Sequence, residues 1–186
     1  MSEIGIADAA RNNAAWCDAV CSAHGRPGAF FDSHWINRAP VPPLYPNLVT
    51  LDPALAPAMA AIREIVEARP TASWAVKDSF AVLPLEDAGF RILFEAEWIV
   101  RAVRRGGMGR RSLGGHWFRV HSEPALAEWE AAWGESQGQA RIFLPDLLRR
   151  NEIAILATRG GSDVIRAGAI VHRSGNAVGL SNFFAH

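Results

Sequence analysis

The sequence predicts an α/β chain of the α+β type, with a mixed, largely antiparallel sheet flanked by helices. Three observations lead there. Apolar residues recur at helical spacing near the start, after Pro53 and after Ser122. Alternation of apolar and other residues marks 74–82 and 90–102, and three short apolar runs divided by turn residues fill 152–185. The length of 186 residues suits one ordinary domain, and 49% hydrophobic with 20% charged residues is the balance of a globular chain. Nineteen basic residues meet nineteen acidic ones, so no net field points to nucleic acid or to an anionic membrane. The acidic start carries no basic-then-apolar signal, and no apolar run is long enough to span a bilayer. Two cysteines make no disulfide framework, which predicts a reducing, cytoplasmic compartment.

The elements follow in order. Residues 7–24 read as a helix, with Ala10, Cys17, Val20, Cys21 and His24 on one stripe and Gly25 to Gly28 as the stop. Residues 29–46 hold Phe30, Phe31, Trp35 and a run of prolines, read as a polyproline-like connector. Asn47–Leu51 is a short strand. Asp52-Pro53 opens a helix carrying Leu55, Met59, Ile62 and Val66 and ending by Pro70. The alternating stretches 74–82 and 90–102 read as an antiparallel hairpin across the loop 84–89, with Trp74 near Trp98 and Lys77 near Glu95. Residues 104–115 are a Gly/Arg linker, the boundary between an N-terminal half, 1–103, and a C-terminal half, 116–186. In the latter, His116–His121 is a strand and Ser122 caps a helix with Leu126, Trp129 and Trp133 on one face. Leu144–Arg150 is a second short helix, and strands at 152–158, 164–172 and 177–185 close the sequence.

The order strand, helix, helix, then three strands is carried by His116-Trp117-Phe118-Arg119-Val120, Leu126-Ala127-Glu128-Trp129-Glu130 and Phe143-Leu144-Pro145-Asp146-Leu147-Leu148. Ile153–Ala157, Arg166–Val171 and Val178–Phe184 complete it. Over these roughly 70 residues the chain resembles the first half of a GNAT-type acyl-CoA N-acyltransferase domain. The resemblance implies acetyl-CoA as co-substrate, a small-molecule or peptide amine as acceptor, and Gly179, Leu180, Ser181 and Asn182 along the coenzyme's pantetheine arm. In that family the fourth strand runs into an Arg/Gln-x-x-Gly-x-Gly/Ala loop that holds the pyrophosphate at a helix N-terminus. The sequence stops at His186, where that loop would begin. A piece of a longer chain, a missing pyrophosphate site and a site supplied by the first half all stay open. A non-catalytic GNAT-like interaction domain is the alternative reading.

Arg104-Arg105-Gly106-Gly107-Met108-Gly109 fits the loop pattern, but Gly114-Gly115 soon follows where a helix is required, so an exposed linker is expected. Candidate bases for taking a proton from an amine are Glu95 and Glu97, two residues apart on one strand face, about 6.5–7 Å between Cα atoms, the other reading being a solvated face charge-paired with Lys77, Arg91 and Arg101. Asp78 interrupts the apolar face between Val76 and Phe80, which reads equally as a perturbed acid or as an acceptor for backbone N–H groups. Cys17, Cys21 and His24 share a helix face but lack a fourth ligand, so an apolar stripe is the reading and no metal is expected. No Gly-x-Ser-x-Gly elbow and no Walker loop occur.

Overall fold

The computed structural model describes residues 5–68, 73–101, 116–134, 141–161 and 163–186. They form an α+β protein with three α-helices and two four-stranded sheets, one mixed and one antiparallel. The chain divides into two compact units, Met1–Val100 and Arg101–His186. The 104–115 linker of the sequence reading lies outside the described residues.

The first unit opens with α1, Ile6–Ala23, whose first turn is closed by the Gly5 N–H donating to Asp8 Oδ2 at 3.0 Å. That places a carboxylate at the positive end of the helix dipole. Ala10, Ala14, Cys17 and Cys21, four apart or nearly so, are buried along one stripe. Gly25 ends the helix in the left-handed region, φ 70°, where a side chain would be strained.

Four short strands follow: β1 (Ala29–Phe30), β2 (His34–Ile36), β3 (Leu48–Thr50) and β4 (Val76–Lys77), with α2 (Leu55–Glu67) between the last two. β1, β2 and β3 pair antiparallel, whereas β4 lies parallel to β3, joined through α2 as parallel neighbours require. The register sets Ile36, Leu48 and Val76 on one face, and Trp35, Val49 and Lys77 on the other. Met59, Ile62 and Ile65 of α2 pack on the first face with half-buried Trp74, Leu85 and Phe90. The second face meets α1, where Asp18 Oδ1 accepts from Trp35 Nε1 at 3.0 Å and from the Gly28 N–H at 2.8 Å. Asn47 pins the intervening proline-bearing loop. Its amide donates to the Asn37 and Ala39 carbonyls at 3.1 and 3.2 Å, and its Oδ1 accepts from the Ala75 N–H at 3.3 Å.

In the second unit, β5 (Trp117–Arg119), α3 (Glu123–Trp133), β6 (Ile153–Arg159), β7 (Ile165–Ser174) and β8 (Ala177–Ala185) build an antiparallel sheet in the order β5-β6-β7-β8. Ser122 caps α3, its Oγ accepting from the Ala125 N–H at 3.4 Å. Trp129, fully buried, donates from Nε1 to the Leu156 carbonyl at 2.9 Å. It meets Phe143 and Phe184 edge-on at 5.5 and 5.3 Å between centroids. Gly168 lets the helix come this close, since a Cβ there would lie 2.3 Å from Trp129 Nε1. A bidentate pair from Arg159 to Glu128, 2.6 and 2.7 Å, ties the exposed side of α3 to β6. Between α3 and β6, a 3-10 turn at Pro145–Arg149 stands where a short helix is predicted.

Three expectations are corrected. The single sheet is two. Residues 29–36, read as an aromatic patch with no strand assigned, form the β1–β2 hairpin, with the proline run following it. The hairpin of 74–82 with 90–102 does not form: only Val76–Lys77 is strand, its partner is β3, and residues 90–101 carry no strand pairing. The reason is local. The Asp78 carboxylate captures the amides that follow it, a 3-10 turn at Glu86–Ala88 ends in Gly89 at φ 85°, and Phe90 is drawn under α2. Of the alternating residues beyond, Ile92, Phe94 and Val100 are left exposed, Phe94 at 80%.

Two outcomes are expected. Gly168→Ala forces Trp129 or Phe184 from its place and should cost about 1–3 kcal/mol by urea unfolding. An unchanged midpoint would mean the helix has room to spare. His34 is buried, stacked on Phe31 at 4.9 Å, and shares a 2.9 Å hydrogen bond with Ser33 Oγ through Nδ1. Burial, with the charge of Arg38, holds its pKa below the ordinary histidine value. The unfolded chain therefore takes the proton first, so this contribution is whole above the unfolded pKa of about 6.5 and shrinks as pH falls toward the folded value. Stability should drop between pH 7 and 5, and His34→Asn should flatten that slope. An identical slope in the variant would locate the acid sensitivity elsewhere.

Candidate functional site

The sequence-predicted residues separate into two groups. Asp78 sits at the end of β4 with both oxygens engaged. Oδ1 accepts from Thr50 Oγ1 and the Phe80 N–H at 3.2 Å each, and Oδ2 accepts from the Val82 and Leu83 N–H groups at 2.7 Å each. Thr50, fully buried, also accepts from the Ser79 N–H at 2.7 Å. The carboxylate thus shapes the turn after β4, which is the second of the two readings its position allowed. Glu95 and Glu97 are exposed in a segment without strand structure, so the shared strand face expected of them is not formed.

Gly179, Leu180, Ser181 and Asn182 lie on β8, which pairs with β7 on one side and with no other strand among the described residues. The register slips between Gly168↔Phe184 and Ile170↔Ser181, so Asn182 and Phe183 stand opposite Ala169 alone. This is a β-bulge, and Asn182 takes the left-handed conformation it needs, φ 50°. The extra residue resets the alternation. Phe184 turns inward to Trp129, while Val178, Leu180 and Phe183 are 64%, 66% and 62% exposed.

A third group was not singled out by the sequence reading. Lys77 was paired there with Glu95 on a solvated face. Its register opposite Val49 instead turns it toward α1, half-buried, with Nζ 4.5 Å from the centre of the Trp98 ring. Trp98 is held by its Nε1, which donates to the Ser79 carbonyl at 2.9 Å. Burial lowers the Lys77 pKa below the usual amine value, opposed by the neighbouring Cys17. Burial also pushes the Cys17 thiol up to about 12 and that of Cys21 to about 11, so both stay protonated at neutral pH and Lys77 has no thiolate counter-ion. Among the described residues no carboxylate forms an ion pair with Lys77. One signal was available in the sequence: Lys77 is the sole lysine in a chain with 19 basic residues, and it sits in an alternating run.

Cys17 and Cys21 are free and buried, and His24 caps the end of α1. Among the described residues no group of three or more His, Cys, Asp or Glu side chains is placed to hold a metal ion, and no helix is long and apolar enough to cross a membrane. Arg104–Gly109 lies outside the described residues. No protein-family model, no curated protein and no solved structure matches the chain.

Removing the Asp78 carboxylate strands several amides at once, so Asp78→Ala should cost about 1–3 kcal/mol of stability. Glu97→Gln, on an exposed side chain, should stay within about 0.5 kcal/mol. Chemical denaturation of both variants checks the contrast, and equal losses would overturn the assignment of Asp78 to the turn.

Proposed function

We propose that the second unit binds an acyl thioester, acetyl-CoA being the reference donor, and that the protein passes the acyl group to a small-molecule or peptide amine in the cytoplasm. The reading rests on the resemblance of residues 116–186 to the first half of a GNAT-type domain. The observation that carries it furthest is the bulge at Asn182–Phe183 in the β7–β8 pairing, on a strand with no second partner strand among the described residues. A bulge turns backbone N–H groups out of the ladder, and an unpaired strand edge offers donors and acceptors to an extended amide-bearing chain such as pantetheine. Gly179, Leu180, Ser181 and Asn182 would line that arm, with Leu180 giving an apolar contact. In the reaction the amine nitrogen attacks the thioester carbonyl, a backbone N–H steadies the oxyanion, and the C–S bond breaks to release the coenzyme thiol. The proton lost by the amine goes to a base. Of the three candidate carboxylates, Asp78 is committed to its turn, and Glu95 and Glu97 belong to the first unit.

A second reading is favoured by one observation: β8 contains no charged residue, exposes Val178, Leu180 and Phe183, and is paired on one side only among the described residues. Natural edge strands are usually protected by charge or proline, so this edge also suits a non-catalytic interaction domain.

Calorimetric titration of the full chain with acetyl-CoA decides between them. Saturable binding with a dissociation constant within about 1 µM to 1 mM, the range of ordinary substrates, is expected. Asn182→Val, which disfavours the left-handed backbone by about 1–2 kcal/mol, should weaken binding, whereas Asn182→Gly should keep it. No heat of binding, together with sedimentation that depends on protein concentration, would overturn the acyl-transfer reading in favour of the second.

A further inference from the structure

We propose that Lys77 is a nucleophilic amine that condenses with an apolar or aromatic aldehyde, forming an imine held against the face of Trp98. The strand register aims this side chain inward: β4 lies parallel to β3, Lys77 stands opposite Val49, and that face is the one covered by α1. An amine taken from water with no ion-pair partner among the described residues is favoured in its neutral, nucleophilic form. The groups facing it are the Cys17 thiol, protonated at neutral pH, and the Trp98 ring. Asp78, next in sequence, is turned to its own loop amides. The ring's negative face attracts the ammonium form and so limits how far burial can lower the pKa.

The same ring selects the chemistry. An amide would extinguish the charge on nitrogen, whereas a protonated imine keeps it at the position where the Trp98 face attracts a cation. Ser79 adds a second polar feature. Its carbonyl fixes Trp98, and its hydroxyl is buried with no hydrogen-bond partner among the described residues. A buried hydroxyl left unpaired costs free energy, which a ligand oxygen beside it would recover. In the reaction the Lys77 lone pair attacks the aldehyde carbon and a proton moves from nitrogen to oxygen, giving a carbinolamine. That hydroxyl then leaves as water with the second amine hydrogen, and the C=N bond forms. One amine and one aldehyde yield one imine and one water, with no oxidant or reductant consumed.

The chain's single lysine makes the test direct. The folded full-length protein is incubated with benzaldehyde and sodium cyanoborohydride at pH 7.0, and the adducts are mapped by peptide mass spectrometry. Lys77 should label measurably faster than the lysine of an unstructured peptide, since a lowered pKa raises the free-amine fraction. The α-amino group, ordinarily near pKa 7.7–8.0, is the internal reference. Ser79→Ala should slow labelling, and Trp98→Leu, which keeps the site apolar, should lower the adduct yield at unchanged circular dichroism. Lys77→Arg should abolish the adduct. Labelling of the α-amino group with Lys77 untouched, or a Lys77 rate equal to the peptide's, would overturn the proposal. Trp98→Leu without effect would overturn the role given to the ring.

Discussion

β3 is three residues long and buried on both faces, and most of the first unit follows from that constraint. A strand covered on both sides leaves no water for any polar group reaching its layer, so each must be satisfied from within. On the α1 side Asp18 takes the Trp35 indole N–H and the Gly28 amide. At the far end of the strand Thr50 bridges the Asp78 carboxylate and the Ser79 amide. At the near end Asn47 holds two carbonyls and an amide. These side chains do the work that longer strands give to backbone ladders, which is how a sheet of strands only two or three residues long holds its register.

Lys77 belongs to the same layer and forms no ion pair among the described residues. Its stem can lie along apolar surface, and the Trp98 ring offers a face for the cation, but neither replaces a carboxylate. A conformation that costs free energy is retained where surrounding structure imposes it. Here the imposing elements are the β3–β4 register, set by Leu48↔Val76 and Val49↔Lys77, and the turn that Asp78 builds directly afterwards.

The second unit solves a different problem. Its sheet is antiparallel, and α3 meets one face through Trp129, with Gly168 providing the close approach. On β8 the bulge serves two ends at once. It keeps Phe184 in the aromatic cluster around Trp129 while Leu180 and Phe183 stay on the outside. It also places Asn182 in a left-handed conformation on a strand with no further strand beside it among the described residues, the feature on which the thioester reading depends.

The sequence by itself determined the elements whose signals are local. The span of α1, the Ser122 cap and the three closing strands were legible because periodicity, a capping hydroxyl and turn residues each act within a few positions. It also singled out Asp78 as a carboxylate out of place, and left open what the carboxylate was for. Only the tertiary structure decided the partners. Alternation in 90–102 states which side chains share a face of a strand, but not whether a neighbouring strand exists to pair with it. Here β4 paired with β3 instead, and Ile92 and Phe94 were left exposed. The same choice separated Lys77 from Glu95 and turned it toward Cys17 and Trp98. Pairing is settled by which surfaces a strand can bury, a sum over residues far apart in the chain, and the period of one segment carries no record of that sum.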